Sequence, residues 1–219
     1  MRSSNNKNNS FVQVPEYAIH FGIYRNLLAK LLRHDPEMFD LDKRNKIVDV
    51  GCGYGDLLKK LRDRSYKHLI GIEPDDLCRK SCIKDGLDVR KGVIGKTGLP
   101  KNFADVVIVS QVFHHIDKYD EAVAELSRIL KPGGIMCFLE PSPTLLRRLM
   151  DVVTFYTILP KWIGPINTRY EVMKLEMETG MYPYFLDNQS LFREALKRYF
   201  VKIWHRQGLF FQFGKYRKK

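Results

Sequence analysis

The residues best suited to chemistry are small or acidic, and they cluster at the ends of apolar runs. In Val48-Asp49-Val50-Gly51-Cys52-Gly53-Tyr54-Gly55, three glycines alternate with other residues directly after an apolar stretch. Glycine has no Cβ, so a ligand can lie against the backbone where a side chain would block it. Glu73 closes a second apolar run, His68 to Glu73, and Pro74 follows it. A carboxylate at such a tip can accept from both hydroxyls of a ribose, and charge-assisted hydrogen bonds contribute roughly 1.5–3 kcal/mol each. His114 and His115 titrate in the range that moves protons near neutrality. The pair has two readings: a general base, or groups that only line a pocket or pack.

The order of the glycines selects between ligand classes. Dinucleotide folds use G-x-G-x-x-G, so that a diphosphate rests on a helix N-terminus. Here the third place of that pattern is Asp56, whose charge would oppose a diphosphate. The observed order is G-x-G-x-G, with the acid Asp49 just ahead of it.

These residues need strands and helices to position them. Lys46 to Val50 reads as a strand and Asp56 to Arg64 as a helix, with Leu57, Leu58 and Leu61 as its buried stripe. His68 to Glu73 is a second strand, and Asp75 to Asp85 a helix stopped by Gly86. Leu87 to Arg90 is a third strand. Ala104 to Ser110 is a fourth, and its β-branched run suits a strand covered on both faces. Asp120 to Leu130 is a helix closed by Lys131-Pro132-Gly133-Gly134, and Ile135 to Glu140 is a fifth strand. Such alternation calls for a parallel sheet with helices on both sides. Upstream, residues 1–14 read as a flexible tail, and Glu16 to Arg33 carries apolar residues at helical spacing behind Pro15. Downstream the rhythm breaks. Pro141 to Leu186 is helical and aromatic, Asn188 to Tyr199 is a helix, and Phe200–Trp204 with Leu209–Phe213 forms a hairpin around Gly208. The expected fold is α/β: a doubly wound, mostly parallel, seven-stranded Rossmann-like sheet with an N-terminal helix and a helical insertion after the fifth strand. Residues 15–219 form one domain, divided into a core at 46–140, a cap at 141–187, and the last helix and hairpin at 188–219.

Asp49 through Gly55, Glu73, Phe103-Ala104-Asp105-Val106-Val107 through His114-His115-Ile116, and Leu130-Lys131-Pro132-Gly133-Gly134 occur in that order. With them, the stretch from about Lys46 to Glu140 resembles the class I S-adenosylmethionine-dependent methyltransferases, most of all the branch that methylates quinone rings and other small molecules. The resemblance implies S-adenosylmethionine as cofactor, held against Gly51, Cys52, Gly53 and Gly55. It assigns Asp49 to the glycine loop and the methionine part, Glu73 to the ribose with Pro74 beside it, and Ser110 and Gln111 to the surroundings of the transferable methyl. Many relatives carry an acid after the third strand, aimed at the adenine amino group. This chain has Gly92-Val93-Ile94-Gly95 instead, leaving adenine to backbone groups and the apolar faces of Val93 and Ile94. Asp76 is a further polar candidate, and Tyr17 and His20, one turn apart on the first helix, have two readings: closing over the cofactor, or belonging to an amphipathic helix packed on the sheet.

Transfer from a sulfonium is an in-line displacement with a neutral leaving group. Positioning and exclusion of water can therefore carry it, and a base is needed only where the nucleophile must lose a proton. No metal is called for: no acid cluster resembles a magnesium site, and Cys78 with Cys82 lacks a neighbouring His/Cys group to complete a zinc site. Phe155, Tyr156, Trp162, Tyr170, Tyr182, Tyr184 and Phe185 make the cap aromatic, which suits an apolar or amphipathic acceptor.

The remaining signals are compositional. A chain of 219 residues with 44% hydrophobic content suits one well-cored domain. Its four cysteines are too few and too scattered for a disulfide framework. The N-terminus lacks the apolar run of a signal peptide, and Leu149 to Ile166 is too interrupted to span a bilayer, so a cytoplasmic location is expected. The net charge of +12 is concentrated late, in Arg193, Lys197, Arg198, Lys202, Arg206, Lys215, Arg217, Lys218 and Lys219. Such a face serves solubility, or draws an anionic or lipid-linked acceptor, a membrane surface, or RNA. An RNA methyltransferase stays open on charge, although Ser110-Gln111-Val112-Phe113 is not the N/D-P-P-Y/F run of enzymes that methylate amino groups of nucleic acids. A non-catalytic, cofactor-binding partner subunit is a third reading. The sequence carries no signal of oligomeric state.

Overall fold

The computed structural model describes residues 41–219 apart from 159 and 161. The expected tail at 1–14 and the first helix, with Tyr17 and His20, lie outside the described residues.

The first strand, β1 (Lys46–Val50), is buried along nearly its whole length, as its apolar residues require. It runs into α1 (Asp56–Asp63), which buries Leu58 and Leu61. Then come β2 (His68–Ile72), α2 (Asp76–Lys84) and β3, which shrinks to Val89–Arg90. The Asp75 side chain starts α2 by accepting the N–H groups of Leu77 and Cys78, the ordinary solution for a helix's first free donors. The sheet continues through β4 (Ala104–Ser110), a single 3₁₀ turn at Phe113–His115, α3 (Tyr119–Ile129) and β5 (Leu130–Pro141). β5 begins earlier than its apolar pattern suggests. Leu130 already pairs with Ala104, and the Lys131–Gly134 turn is taken up as a break in register before Ile135 pairs with Val106.

The strand order is β3-β2-β1-β4-β5-β7-β6. β1 pairs in parallel with both β2 and β4, so the chain winds outward in opposite directions from the β1–β4 junction. A crevice opens beyond the C-terminal ends of strands at such a switch point, and in open α/β sheets that crevice is where ligands bind. The last two strands, β6 (Phe200–Gln207) and β7 (Phe211–Lys218), pair antiparallel and are longer than expected, with β7 inserted between β5 and β6.

Between β5 and β6 lie α4 (Leu145–Tyr156), α5 (Gly164–Thr179), α6 (Met181–Asp187) and α7 (Gln189–Tyr199). Met173, Tyr182, Phe185 and Phe192 from these helices join Val109, Phe113, Tyr119 and Phe138 in one apolar core. The aromatic residues of the cap therefore divide. Tyr182 and Phe185 are core, Phe155 packs on Tyr170 at 5.6 Å, and Tyr156 and Trp162 are turned outward.

Candidate cofactor and acceptor site

The crevice is built from the ends of β1, β2 and β4. Gly51, Gly53 and Gly55 all have positive φ, and the reasons for having glycine differ from one to the next. A Cβ on Gly51 would come within 2.3 Å of Val112 Cγ2, so β1 and the loop after β4 touch through bare backbone. A Cβ on Gly53 would meet nothing within 4 Å, so this residue faces open space.

Glu73 is buried at the tip of β2. Its Oε2 accepts the Gly53 N–H at 2.8 Å and its Oε1 accepts the Asp75 N–H at 3.0 Å. Burial raises its pKa, while the hydrogen bonds from the Asp75 and Gly53 amides pull the other way. Each carboxylate oxygen accepts one backbone hydrogen, which leaves further lone pairs for a diol. Asp49 is 3% exposed. Burial, then the charge of Glu73, pushes it up to about 7. Among the described residues its carboxylate has no hydrogen-bond donor. A buried acid of this kind fits a cationic ligand group. Cys52 is buried beneath the loop and packs with Cys82, whose thiol donates to the Gly53 carbonyl at 3.3 Å. Pro74 is exposed at the rim, and Asp76 turns away to pair with Arg79.

The opposite wall is the end of β4. Ser110 and Gln111 are half-buried, and Gln111 has φ +60 although it is not glycine, a conformation that costs free energy and is held by its N–H bond to the Leu139 carbonyl at 2.9 Å. Just beyond it the two histidines separate in character. His114 is buried, with Nδ1 at 2.7 Å from Glu140 Oε2 and Nε2 at 3.7 Å from Glu176 Oε2. The other oxygen of Glu140 accepts the N–H groups of Val112 and Phe113, both at 2.8 Å. Burial opposes a charge on His114, but the charge of Glu140, their hydrogen bond, and Glu176 outweigh it and hold the ring at about 9. His115 is half-buried; loss of water and then the charge of His114 lower it to about 4. At neutral pH His114 is a cation and His115 is neutral. The pair thus differs in setting: His114 is enclosed between Glu140 and Glu176, and His115 is the more accessible ring.

His114 belongs to a larger buried ion network that the sequence reading did not include. Arg147 Nε is 2.7 Å from the Tyr182 hydroxyl, which donates to Asp151 Oδ2 at 3.0 Å, and Arg169 pairs with Asp151 and Thr154. Three acids (Glu140, Glu176, Asp151) and three bases (His114, Arg147, Arg169) thus balance inside the protein, provided that His114 is charged. The donor atoms of His114, His115 and Glu176 lie within 4.8 Å of one another, a spacing open to a metal ion. A metal would require neutral His114 and would leave excess positive charge in a site that is already balanced. Glu140 carried a readable signal, since it ends the apolar run Phe138-Leu139-Glu140 as Glu73 ends its own. Glu176, in a helix whose apolar and polar residues are not sorted onto separate faces, carried none.

A cleft of about 280 Å³ opens beside His115. Val93, Ile94 and Gly95 form one wall and Met181 of the cap contributes to another. Val93 is half-exposed and Ile94 buried, so the loop after β3 presents apolar surface. The structure thus brings Asp49, Gly51, Gly53 and Glu73 together at the C-terminal ends of β1 and β2, packs Cys52 and Gly55 inward beneath them, and groups Val93, Ile94 and His115 in a cleft.

Known proteins share this arrangement of strands and loops. Residues 48–138 match a family model described as a methyltransferase domain. A ubiquinone/menaquinone biosynthesis C-methyltransferase, UbiE, from Hydrogenovibrio crunogenus is 32% identical over 155 residues, which is 64% of this chain and 59% of that protein. The chain therefore spans under two thirds of that relative's length. In overall fold it is similar to the PH0226 protein of Pyrococcus horikoshii OT3, with a TM-score of 0.61, 16% identity, and coverage of 90% of this chain and 91% of that one. It is also similar to a geranyl diphosphate methyltransferase solved in complex with GPP and sinefungin, with a TM-score of 0.55, 15% identity, and coverage of 82% and 74%. The chain is thus similar to S-adenosylmethionine-dependent methyltransferases, with the family match confined to residues 48–138. No helix among the described residues is long and apolar enough to cross a membrane.

Proposed function

We propose that this chain transfers a methyl group from S-adenosylmethionine to a small apolar or amphipathic acceptor of the quinone-like kind, on the cytoplasmic side of the cell. The observation that carries the reading is Asp49. A carboxylate buried at a strand tip, without a protein donor among the described residues, beside a glycine loop with open space at Gly53, is matched by an ammonium group and not by a diphosphate. Glu73 supplies acceptors for a ribose diol from the next strand. Val93 and Ile94 suit a flat apolar ring, and the resemblance assigns the backbone of Ser110 and Gln111 to the surroundings of the transferable methyl.

When bound, the cofactor supplies an electrophilic methyl group on a sulfonium. The chain's own part is to orient the acceptor and exclude water, and, for an acceptor that must lose a proton, to offer His115 as the neutral ring lining the cleft. His114 acts behind it as a fixed cation. The named activity of the UbiE relative and the apolar lining of the cleft both support a small-molecule acceptor over RNA.

Calorimetry with S-adenosylhomocysteine tests the cofactor reading, with NADH as the contrasting ligand. Saturable heat is expected from the first alone; heat from NADH alone overturns the proposal. Uptake of labelled methyl groups across quinones, phenols and prenyl-linked acceptors then assigns the acceptor. Uptake into bulk RNA, falling steeply with salt, would instead identify a nucleic-acid enzyme.

A further inference from the structure

The helix α4 is inside out. Its buried residues include Arg147, Asp151 and Thr154, which are polar, while its outward stripe is Leu145, Leu149, Val152 and Tyr156, spaced to share one helix face. Leu145 is 83% exposed and Tyr156 76%. Beyond the helix, Ile158, Trp162, itself 79% exposed, and Ile163 are exposed as well. A separate element adds to them. The β6–β7 turn is joined to the start of α4 through Thr144 Oγ1 on the Leu209 carbonyl and through Arg147 Nη1 and the Ser142 N–H on the Phe210 carbonyl, and it presents Leu209 at 63% exposure. Water-facing helices place these residue types the other way round, and large apolar side chains grouped outward on one helix face mark an interaction site.

We infer that this face of the cap docks on an anionic lipid surface, with α4 and the β6–β7 turn lying in the plane of the headgroups. Three observations favour lipid over a protein partner. Trp162 and Tyr156 are the amphipathic aromatics that settle at an apolar–aqueous boundary. The one acid of α4, Asp151, is turned inward to Arg169, so the helix presents no negative charge outward, while Arg148 lies within the outward stripe and pairs at its far end with Asp187. The chain as a whole carries +12, which draws it to negative headgroups. The helix is too short to span a bilayer, so contact is confined to one leaflet. The inference deepens the proposed function by naming where an amphipathic acceptor would be met: Met181 of the same cap lines the cleft beside His115.

The test is flotation of the full chain with vesicles of phosphatidylcholine alone and of phosphatidylcholine containing phosphatidylglycerol. Retention on the phosphatidylglycerol vesicles is expected, with at least a tenfold loss in Leu149→Glu and in Trp162→Ser, both at unchanged melting temperature. The inference is overturned by absence of flotation, or by flotation that both variants leave unchanged, which would be attraction of a basic chain without insertion. It is equally overturned if sedimentation shows a dimer that Leu149→Glu dissociates, because the face would then bind a second copy. Heat from S-adenosylhomocysteine, measured on the same samples, separates the two claims: its absence removes the methyltransferase reading and leaves the vesicle result standing.

Discussion

Glu73 holds Gly53: one carboxylate oxygen takes the glycine amide at 2.8 Å while the other takes the amide of Asp75 at 3.0 Å. The tip of β2, the glycine loop and the start of α2 are thereby tied to one side chain, the same one positioned for a ribose. Glu73→Ala removes acceptors from two backbone donors as well as from the ligand, and should weaken S-adenosylhomocysteine by about tenfold or more, where one decade is about 1.4 kcal/mol. Glu73→Gln keeps one acceptor oxygen and should fall between wild type and alanine. Calorimetry on the three proteins checks the order; equal affinity in all three would remove the ribose assignment.

Two glycines of the same loop should respond differently to alanine. At Gly51 the new methyl would collide with Val112 at 2.3 Å, on a backbone with φ +76, so Gly51→Ala should lower the melting temperature and be partly rescued by Val112→Ala. At Gly53 there is no collision, only the cost of φ +53, so Gly53→Ala should destabilise mildly, by about 1 kcal/mol, yet reduce cofactor affinity strongly. Thermal melts and calorimetry on both variants decide it. If Gly53→Ala binds normally, the open space beside it is not where the ligand lies.

The parts of this site legible in the sequence are those in which a residue type has one main reason to stand where it does. Alternating glycines after a β-branched strand, and an acid closing an apolar run, each imply a backbone approach and a polar grip. The parallel sheet with helices on both sides follows from the rhythm of alternation, whereas the order of its strands does not. What escaped has a common physical cause. Arg147, Asp151 and Arg169 look like the solvent face of a helix, because pattern reading assumes polar side chains point to water, and here they point to each other across the cap. The same assumption hid the outward leucines. The early start of β5 escaped because a Pro-Gly-Gly turn reads as a boundary, whereas the sheet absorbs it as a break in register.

Asp49 should trade stability for binding. Its folded pKa, about 7, lies above the usual carboxylate value of 3.8, so burying its charge costs stability progressively as pH rises from 3.8 through 7. Asp49→Asn removes that cost and should raise the melting temperature of the ligand-free protein at pH 8 while leaving it nearly unchanged at pH 4. The same variant should bind S-adenosylhomocysteine more weakly. Wild-type affinity should climb as pH rises through about 7, where Asp49 gains its charge opposite the ligand's ammonium group. In Asp49→Asn the acidic limb should vanish. Melting and calorimetry from pH 5.5 to 9 test both halves, and an unchanged acidic limb in the variant would assign it to another group.

His114 gives the cap its pH dependence. Held at about 9 against a usual 6.5, the ring stabilises the folded state fully below pH 6.5, and that contribution is lost as pH rises through about 9. The size is on the order of 3 kcal/mol, from roughly 1.4 kcal/mol per unit for a ring shielded from solvent. Above that range the ring no longer offers a positive charge to the carboxyl groups of Glu140 and Glu176, and the link between cap and sheet is weakened. The melting temperature should therefore decline between pH 7 and pH 10. His114→Gln keeps a donor for Glu140 but no charge, so it should melt lower than wild type at pH 6.5 and converge with it near pH 10. Its cap should also become more sensitive to limited proteolysis within α4 and α5 at neutral pH, as the wild type does only in alkali. Parallel declines in the two proteins across that range would show that His114 is not the titrating link.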